Sequence, residues 1–101
     1  MKTTRIAILA TLVILGTTSL FASGTDLYKR CAGCHGTNGE KKALGKSQAI
    51  TGWEKNKTFK ALMGYKDGSY GGAMKGVMKG QVISLSKEDL TALSEHISTL
   101  K

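Results

Sequence analysis

The stretch Cys31-Ala32-Gly33-Cys34-His35 holds both cysteines of this 101-residue chain and one of its two histidines. Two thiols and an imidazole within five residues can hold a haem, because the thiols add to its two vinyl groups and the adjacent imidazole then lies under the iron as proximal ligand. With so few Cys and His, random placement gives this pentapeptide roughly four times in ten thousand. The stretch predicts one covalent haem c per chain, attached through Cys31 and Cys34, with His35 on the iron.

Three other uses of the cysteines compete with this prediction. A Cys31–Cys34 disulfide would close a tiny loop, which constrains the unfolded chain only slightly. A thioredoxin-like redox pair needs a βαβ context, and no stretch of this chain alternates with period two for long enough to propose a sheet. A structural zinc needs four ligands, and the only further Cys or His is His96. The histidine next to Cys34 therefore favours haem.

The N-terminus has the order of a secretory signal peptide. A basic start through Arg5 is followed by an apolar run from Ile6 to Leu15 and by small residues up to Ala22. The apolar run is short for a membrane span, and an uncleaved anchor is the competing interpretation. We predict cleavage after Ala22, with a cut one or two residues later as the alternative, so that 1–22 is the signal peptide and 23–101 is one periplasmic domain.

The mature part is small and basic. Its 79 residues suffice for one domain only, and a chain so short needs a staple such as a metal, a disulfide or a cofactor. Once Lys2 and Arg5 are removed, 13 Lys and Arg stand against seven Asp and Glu, a formal net charge of about +6. This charge favours an acidic partner or an anionic membrane surface. We expect no nucleic acid partner, because the chain is exported and shows no nucleic-acid-binding motif.

The spacing of apolar residues predicts three helices before the C-terminal one. A first helix covers about 25–35, and a glycine-rich loop follows it. A second helix covers about 54–63, with Gly64 as its left-handed terminator. A short third helix covers about 73–78.

The last helix has the clearest signals in the sequence. Ser86 caps it, Asp89 completes a capping box three residues later, and Leu85 can contact Leu90 across the cap. An apolar stripe then runs along one face, formed by Leu90, Leu93, Ile97 and Leu100. The predicted fold class is all-α.

A haem iron needs a sixth ligand or has an open site. Methionine sulfur is a soft ligand that favours ferrous iron, and Met63, Met74 and Met78 follow the haem motif. Met63 lies inside the second predicted helix, where methionine is typically core filler, and His96 on the last helix is expected to pack there. Met74 and Met78 share one helix side at i and i+4, and spacing alone does not separate them.

Three stretches together resemble one known family. They are Leu27-Tyr28-Lys29-x-Cys31-x-Gly33-Cys34-His35-Gly36, Gly64-Tyr65-x-Asp67-Gly68-Ser69-Tyr70-Gly71-Gly72, and Leu85-Ser86-x-Glu88-Asp89-Leu90-x-Ala92-Leu93. In these stretches the chain resembles the cytochrome c-553 family, small periplasmic class I monohaem cytochromes of bacteria. The resemblance runs through nearly all of the mature part.

The resemblance implies a fold, a function and a sixth ligand. The fold is the compact class I cytochrome c fold, about four short helices around one covalent haem, with the first and last helices crossing. The function is single-electron transfer by a carrier that is not an enzyme. The family's distal methionine lies about seven residues before the pair that opens the last helix, which implies Met78 as axial ligand opposite His35 and Met74 as its neighbour.

Partners follow from the same resemblance. We expect a bc-type complex or a dehydrogenase as donor and an oxidase, peroxidase or reductase as acceptor, and a monomer with no transmembrane segment in the mature protein. A five-coordinate haem c protein that binds a small gas or peroxide is the alternative function. Nine lysines lie in segments expected to surround the haem edge and could steer docking together: Lys41, Lys42, Lys46, Lys55, Lys57, Lys60, Lys66, Lys75 and Lys79.

The chain departs from the family pattern at two places. Many class I cytochromes have a proline shortly after the haem motif, whose carbonyl accepts the proton of the proximal histidine, and this chain has no proline. Some backbone carbonyl within 44–49 would then have to orient His35. Trp53 is not a residue of the family pattern; it could shield a haem edge, bond a propionate through its indole N–H, or simply pack.

Overall fold

The computed structural model describes residues 23–101, and the predicted signal peptide lies outside them. All regular structure in this range is helical: α1 (Gly24–His35), α2 (Lys55–Asp67), α3 (Lys75–Val82) and α4 (Lys87–Ser98), with one 3₁₀ turn at Ala43–Gly45. The predicted all-α class with four short helices is confirmed. None of the helices within 23–101 has the length and apolar content that a membrane span requires.

The first helix begins and ends at local signals. The Ser23 side chain accepts a hydrogen bond from the Asp26 backbone N–H at 3.1 Å, which satisfies one of the free donors of the first turn. At the other end Gly36 takes φ 90°, and its N–H donates to the Ala32 carbonyl. Because Gly36 cannot continue the helix in this conformation, the helix ends at His35.

The last helix forms as the sequence predicts. Ser86 and Asp89 exchange side-chain-to-backbone hydrogen bonds of 3.0 and 3.1 Å, which complete the capping box. Three members of the predicted apolar stripe, Leu90, Leu93 and Ile97, are buried in the core. The fourth, Leu100, follows the end of the helix and is half-buried against that core.

The helices pack against one another in the order α1, α4, α2, α3. α1 and α2 both pack on α4, and α3 packs on α2. The approach of α1 to α4 is close at Gly24, where an added Cβ atom would lie 2.2 Å from the Ala92 carbonyl oxygen. Lys55 of α2 forms an ion pair with Glu95 of α4 at 3.0 Å. The haem motif at the end of α1 is thereby fixed against the last helix.

The prediction that Gly64 ends the second helix is wrong. α2 continues to Asp67, and Gly68, with φ 86° and ψ 3°, is the left-handed terminator. Gly64 lies inside the helix. A glycine suits this position because an added Cβ atom would lie only 2.5 Å from Tyr70 Cβ. The glycine thus allows the following loop to fold back on the helix, where Tyr70 N–H donates to the Gly64 carbonyl at 3.2 Å.

The third helix is displaced from its predicted range of 73–78. It begins at Lys75, because a turn closed by the hydrogen bond from Lys75 N–H to the Gly72 carbonyl precedes it, and Met74 is its N-cap. It extends to Val82, whose side chain is buried in the core. The burial of Val82 in the core extends α3 by about one turn beyond the predicted end.

Replacing Gly64 tests the close contact inside α2. Gly64→Ala should lower the free energy of unfolding by about 1–3 kcal/mol, because the new methyl group overlaps Tyr70 and the loop must move. Gly80→Ala is the matched control, since a Cβ atom at that helical glycine meets no other atom within 4 Å. It should stabilise the protein by up to about 1 kcal/mol through helix propensity. Denaturant unfolding measures both, and equal effects would contradict the packing argument.

Candidate cofactor site

A large cavity lies where the four helices meet. Its volume is about 340 Å³, within the size range of small-molecule sites. Every helix contributes to its wall, with His35 from α1, Leu62 and Tyr65 from α2, Met78 from α3 and Ile97 from α4. The cavity therefore joins the end of the haem motif to one of the two candidate methionines.

His35 is buried at the inner end of α1, and only 7% of its surface is exposed. Burial lowers the pKa of its imidazole and so favours the neutral ring, which is the form that binds a metal. Its Nδ1 atom is buried and has no hydrogen-bond partner among residues 23–101. The expected backbone carbonyl from 44–49 therefore does not accept from this nitrogen in the described part of the chain.

The two cysteines lie beside a smaller cavity of about 90 Å³. Cys31 is half-buried, and burial raises the pKa of its thiol, whereas Cys34 is exposed. Both line the small cavity together with His35, Met74 and Met78. The helical spacing of the motif thus presents both thiols and the imidazole to one side of α1, and no disulfide joins the two cysteines.

The methionines and His96 differ in where they lie. Met78 lines the large cavity with His35, whereas Met74 lines only the small cavity and a third one of about 140 Å³. Met63 is half-buried against the hydrophobic core. His96 lies between α1 and α4, with its ring centroid 5.2 Å from that of Tyr28, and does not line the large cavity.

Tyr28 supports the turn that follows the motif, which sequence reasoning missed. Its hydroxyl donates to the Gly36 carbonyl at 2.7 Å, and burial raises the pKa of Tyr28 to about 12. The side chain is thus a neutral, buried donor that holds the residue after His35. The sequence shows Tyr28 only at helical spacing, so its apolar face was apparent and its hydrogen bond was not.

Polar and aromatic side chains also line the large cavity. Trp53 is half-buried there, and the Lys57 ammonium lies 3.9 Å from the centroid of its ring. Lys46, Ser47 and Gln48 line the same cavity from the loop after the 3₁₀ turn. Sequence reasoning missed Tyr65 and Tyr70 in this wall; their rings contact edge to face at 5.1 Å.

These observations fit a haem and disfavour zinc. The site combines an apolar cavity, a neutral buried imidazole, a soft thioether and two thiols on one side of a helix. No group of three or more His, Cys, Asp or Glu in the described range is arranged to hold a metal ion, as a structural zinc requires. The donor set is that of a thioether-linked haem with nitrogen and sulfur ligands.

Comparison with known proteins gives the same result. Residues 21–101 match the family model described as cytochrome c. The chain belongs to the cytochrome c family. It is 44% identical over 82 residues to cytochrome c-553 of Nitratidesulfovibrio vulgaris strain Miyazaki F, covering 81% of this chain and 80% of that protein.

Two further relatives extend the comparison. Cytochrome c-553 of Desulfomicrobium norvegicum is 42% identical over 77 residues, 75% of this chain and 94% of the relative. Cytochrome c-553 of Helicobacter pylori strain 26695 is 43% identical over 75 residues, 74% of this chain and 75% of the relative. The predicted resemblance to the cytochrome c-553 family is confirmed. This cytochrome c carries covalent haem c and is an electron carrier, not an enzyme.

Proposed function

We propose that this cytochrome is a periplasmic single-electron carrier whose haem is bonded to Cys31 and Cys34, with His35 and Met78 as axial ligands. The observation that carries the proposal is that His35 and Met78, from two different helices, line one cavity. Met74 is one helical turn away from Met78 and lies outside that cavity. This placement supports the same methionine as the family resemblance.

The bound haem supplies the one-electron change between ferric and ferrous iron. His35 contributes a neutral imidazole nitrogen, and Met78 contributes a thioether that favours ferrous iron and raises the reduction potential relative to a second imidazole. Apolar side chains such as Leu62 and Ile97 keep water from the cavity floor. With His35 and Met78 both holding the iron, no position would be open to a substrate, which is why we infer a carrier.

The small cavity marks the side from which electrons enter and leave. Cys34, Leu44 and Val77 are exposed there, and two of them are apolar side chains, 55% and 42% exposed. Leu44 has φ 56°, a left-handed backbone that a leucine adopts only under strain. An apolar patch beside the cofactor suits close contact with a partner protein, across which an electron moves.

The lysines around this patch fall into two groups. Four have a partner in the structure: Lys55 pairs with Glu95, Lys57 contacts Trp53, Lys66 donates to the Leu85 carbonyl and Lys75 donates to the Gly68 carbonyl. The others are exposed: Lys41, Lys42, Lys46, Lys60 and Lys79. We infer that Lys41, Lys42 and Lys79 steer this face onto an acidic redox partner, because each lies within two positions in sequence of a residue that lines the small cavity.

The inferred partners and compartment follow from this role. A carrier of one electron needs a donor such as a bc-type complex or a dehydrogenase, and an acceptor such as an oxidase, peroxidase or reductase. Export by the signal peptide at 1–22 supports a periplasmic location, because the predicted order of basic, apolar and small segments is that of a secreted precursor.

Exchange of the two methionines tests the axial ligand. Met78→Ala should free the sixth position, so that carbon monoxide binds readily to the reduced protein and the reduction potential falls. Met74→Ala should keep the low-spin spectrum and cost less than the about 2–5 kcal/mol of a fully buried methionine, because Met74 is half-buried. The reverse pattern would make Met74 the ligand. Rapid carbon monoxide binding by the unmutated protein would favour the five-coordinate alternative.

Charge reversal tests the docking face. Lys41→Glu, Lys42→Glu and Lys79→Glu together should slow electron transfer to an acidic acceptor at low salt and flatten its dependence on salt. The physical reason is that screening shortens to about 10 Å at 0.1 M ionic strength. Lys87→Glu, at an exposed lysine of α4, is the matched control and should change the rate little. Stopped-flow rates against ionic strength measure both, and equal slopes for all proteins would reject electrostatic steering through this face.

The mass of the exported protein tests attachment and processing. The periplasmic product should have the mass of residues 23–101 plus one haem, because export precedes covalent attachment. Replacing both Cys31 and Cys34 by Ser should give a polypeptide without the added mass. A wild-type chain that lacks haem, or that contains a Cys31–Cys34 disulfide, would contradict the proposed attachment.

A further inference from the structure

The two proposed axial ligands lie at opposite ends of a series of helix contacts. His35 is the last residue of α1, and Met78 is in the middle of α3. The extensive packing connects α1 to α4, α4 to α2 and α2 to α3. Small displacements at each contact would therefore accumulate between the two ligands, unless other bonds hold α3 directly.

One such bond joins α3 to the helix that carries the haem motif. Arg30, next to Cys31, donates from Nη1 to the backbone carbonyl of Gln81 at 3.0 Å. Gln81 lies in the last turn of α3, where carbonyl groups lack partners within the helix and attract cations. The bond spans 51 positions of sequence and links α1 to α3 without passing through α4 or α2.

A second bond holds the segment immediately after α3. Lys66 of α2 donates from its ammonium group to the carbonyl of Leu85, a buried residue just before the N-cap of α4. Lys66 is itself half-buried, so this contact is less screened by solvent than a contact between exposed groups. The bond thereby links the two ends of the segment 66–85, which contains the glycine-rich loop, α3 and Met78.

The opposite end of α3 is held in a different way. The loop before it packs on α2 through the Tyr65–Tyr70 ring contact, and a Cβ atom at Gly71 would lie 2.6 Å from Tyr65 Cε1. This aromatic contact fixes the N-terminal side of α3. The C-terminal side has buried Val82 and Leu85 and the two cationic bonds.

We propose that Arg30 and Lys66 are positioning residues that hold the C-terminal end of α3 and thereby keep Met78 at bonding distance from the haem iron. Neither side chain is proposed to bind the iron. Each acts by a hydrogen bond that holds a backbone carbonyl group in place. The inference rests on the proposed ligation by Met78. We call the hydrogen bonds of Arg30 and Lys66 to these carbonyls the two clamps. When one clamp is lost, α3 pivots about the aromatic contact at its other end. Met78 then leaves the sixth position more often, while His35 and the thioether bonds stay in place.

The test uses the haem-loaded mature protein and the variants Lys66→Met, Arg30→Met and their combination. Lys60→Met is the matched control, because it removes the same charge from the same helix at an exposed lysine that makes no hydrogen bond or ion pair to the described residues. The first readout is the rate at which carbon monoxide binds to the reduced form, which reports how often the sixth position opens. The second is the unfolding midpoint in denaturant.

Each clamp variant should bind carbon monoxide roughly 2- to 30-fold faster than the unmutated protein, the range expected when a residue biases a two-state element from a distance. Lys60→Met should bind at the unmutated rate. The combined variant should deviate from the product of the single effects, because both bonds hold one segment. Lys66→Arg and Arg30→Lys keep a cationic donor and should restore most of the slow binding.

Two results would overturn the inference. One is an unchanged carbon monoxide rate in both clamp variants, even with a lowered unfolding midpoint, since the residues would then be structural only. The other is an equal acceleration in Lys60→Met, which would assign the effect to charge alone. If Lys66→Met does not fold, the carbon monoxide rates of Arg30→Met and Lys66→Arg still test the inference, because Arg30 is exposed and Lys66→Arg keeps a cationic donor. Failure of Met78→Ala to open the iron would instead reject the proposed ligand, so the two failures are distinguishable.

Discussion

The close approach of α1 to α4 at Gly24 is the contact on which the rest of the structure depends. A side chain at this position would overlap the backbone of Ala92, so the two helices can cross only where one of them lacks a Cβ atom. The crossing buries Tyr28 against the last helix and places His35 at the inner end of α1. Because α2 also packs on α4, and α3 on α2, all the helices that line the large cavity are connected to this crossing through α4.

The same arrangement gives the centre of the molecule an apolar lining. Ala61, Leu62 and Ile97 are buried and also line the large cavity, so a haem held there would pack against them. A domain of this length buries a small share of its surface, and contacts with a cofactor would add to what its own core provides. The haem would in this way contribute to stability as well as to electron transfer.

The parts of the fold that were predicted from the sequence are those whose signals are local. The capping box of Ser86 and Asp89 at the start of α4 and the helical spacing of the haem motif both act within a few residues. The error at Gly64 has the opposite cause, since a glycine that ends a helix and a glycine that admits a neighbouring side chain are identical in sequence. Only the tertiary contact with Tyr70 distinguishes them.

In the candidate site, too, the residues in a local motif were predicted from the sequence, and those that depend on tertiary contacts were not. The motif specifies both thiols and the imidazole, because they must share one side of one helix. The choice between Met74 and Met78 was open on spacing alone and depended on the family resemblance, because either sulfur could face inward. The carbonyl partners of Arg30 and Lys66 lie 51 and 19 positions away in the chain, so no local pattern could indicate them.

His35 and Met78, the proposed ligands, would be restrained by different means, and this difference bears on a feature of His35. Within residues 23–101 its buried Nδ1 has no hydrogen-bond acceptor, although such an acceptor commonly fixes the orientation of a ligating imidazole. Thioether bonds through Cys31 and Cys34 would hold α1 to the cofactor, and because His35 follows Cys34 directly, they would also restrain its ring. Met78 would have no such covalent restraint, and it lies on α3 at the far end of the packing series. The non-covalent restraints accordingly lie at the helix that carries Met78, where Arg30 and Lys66 hold the end of α3.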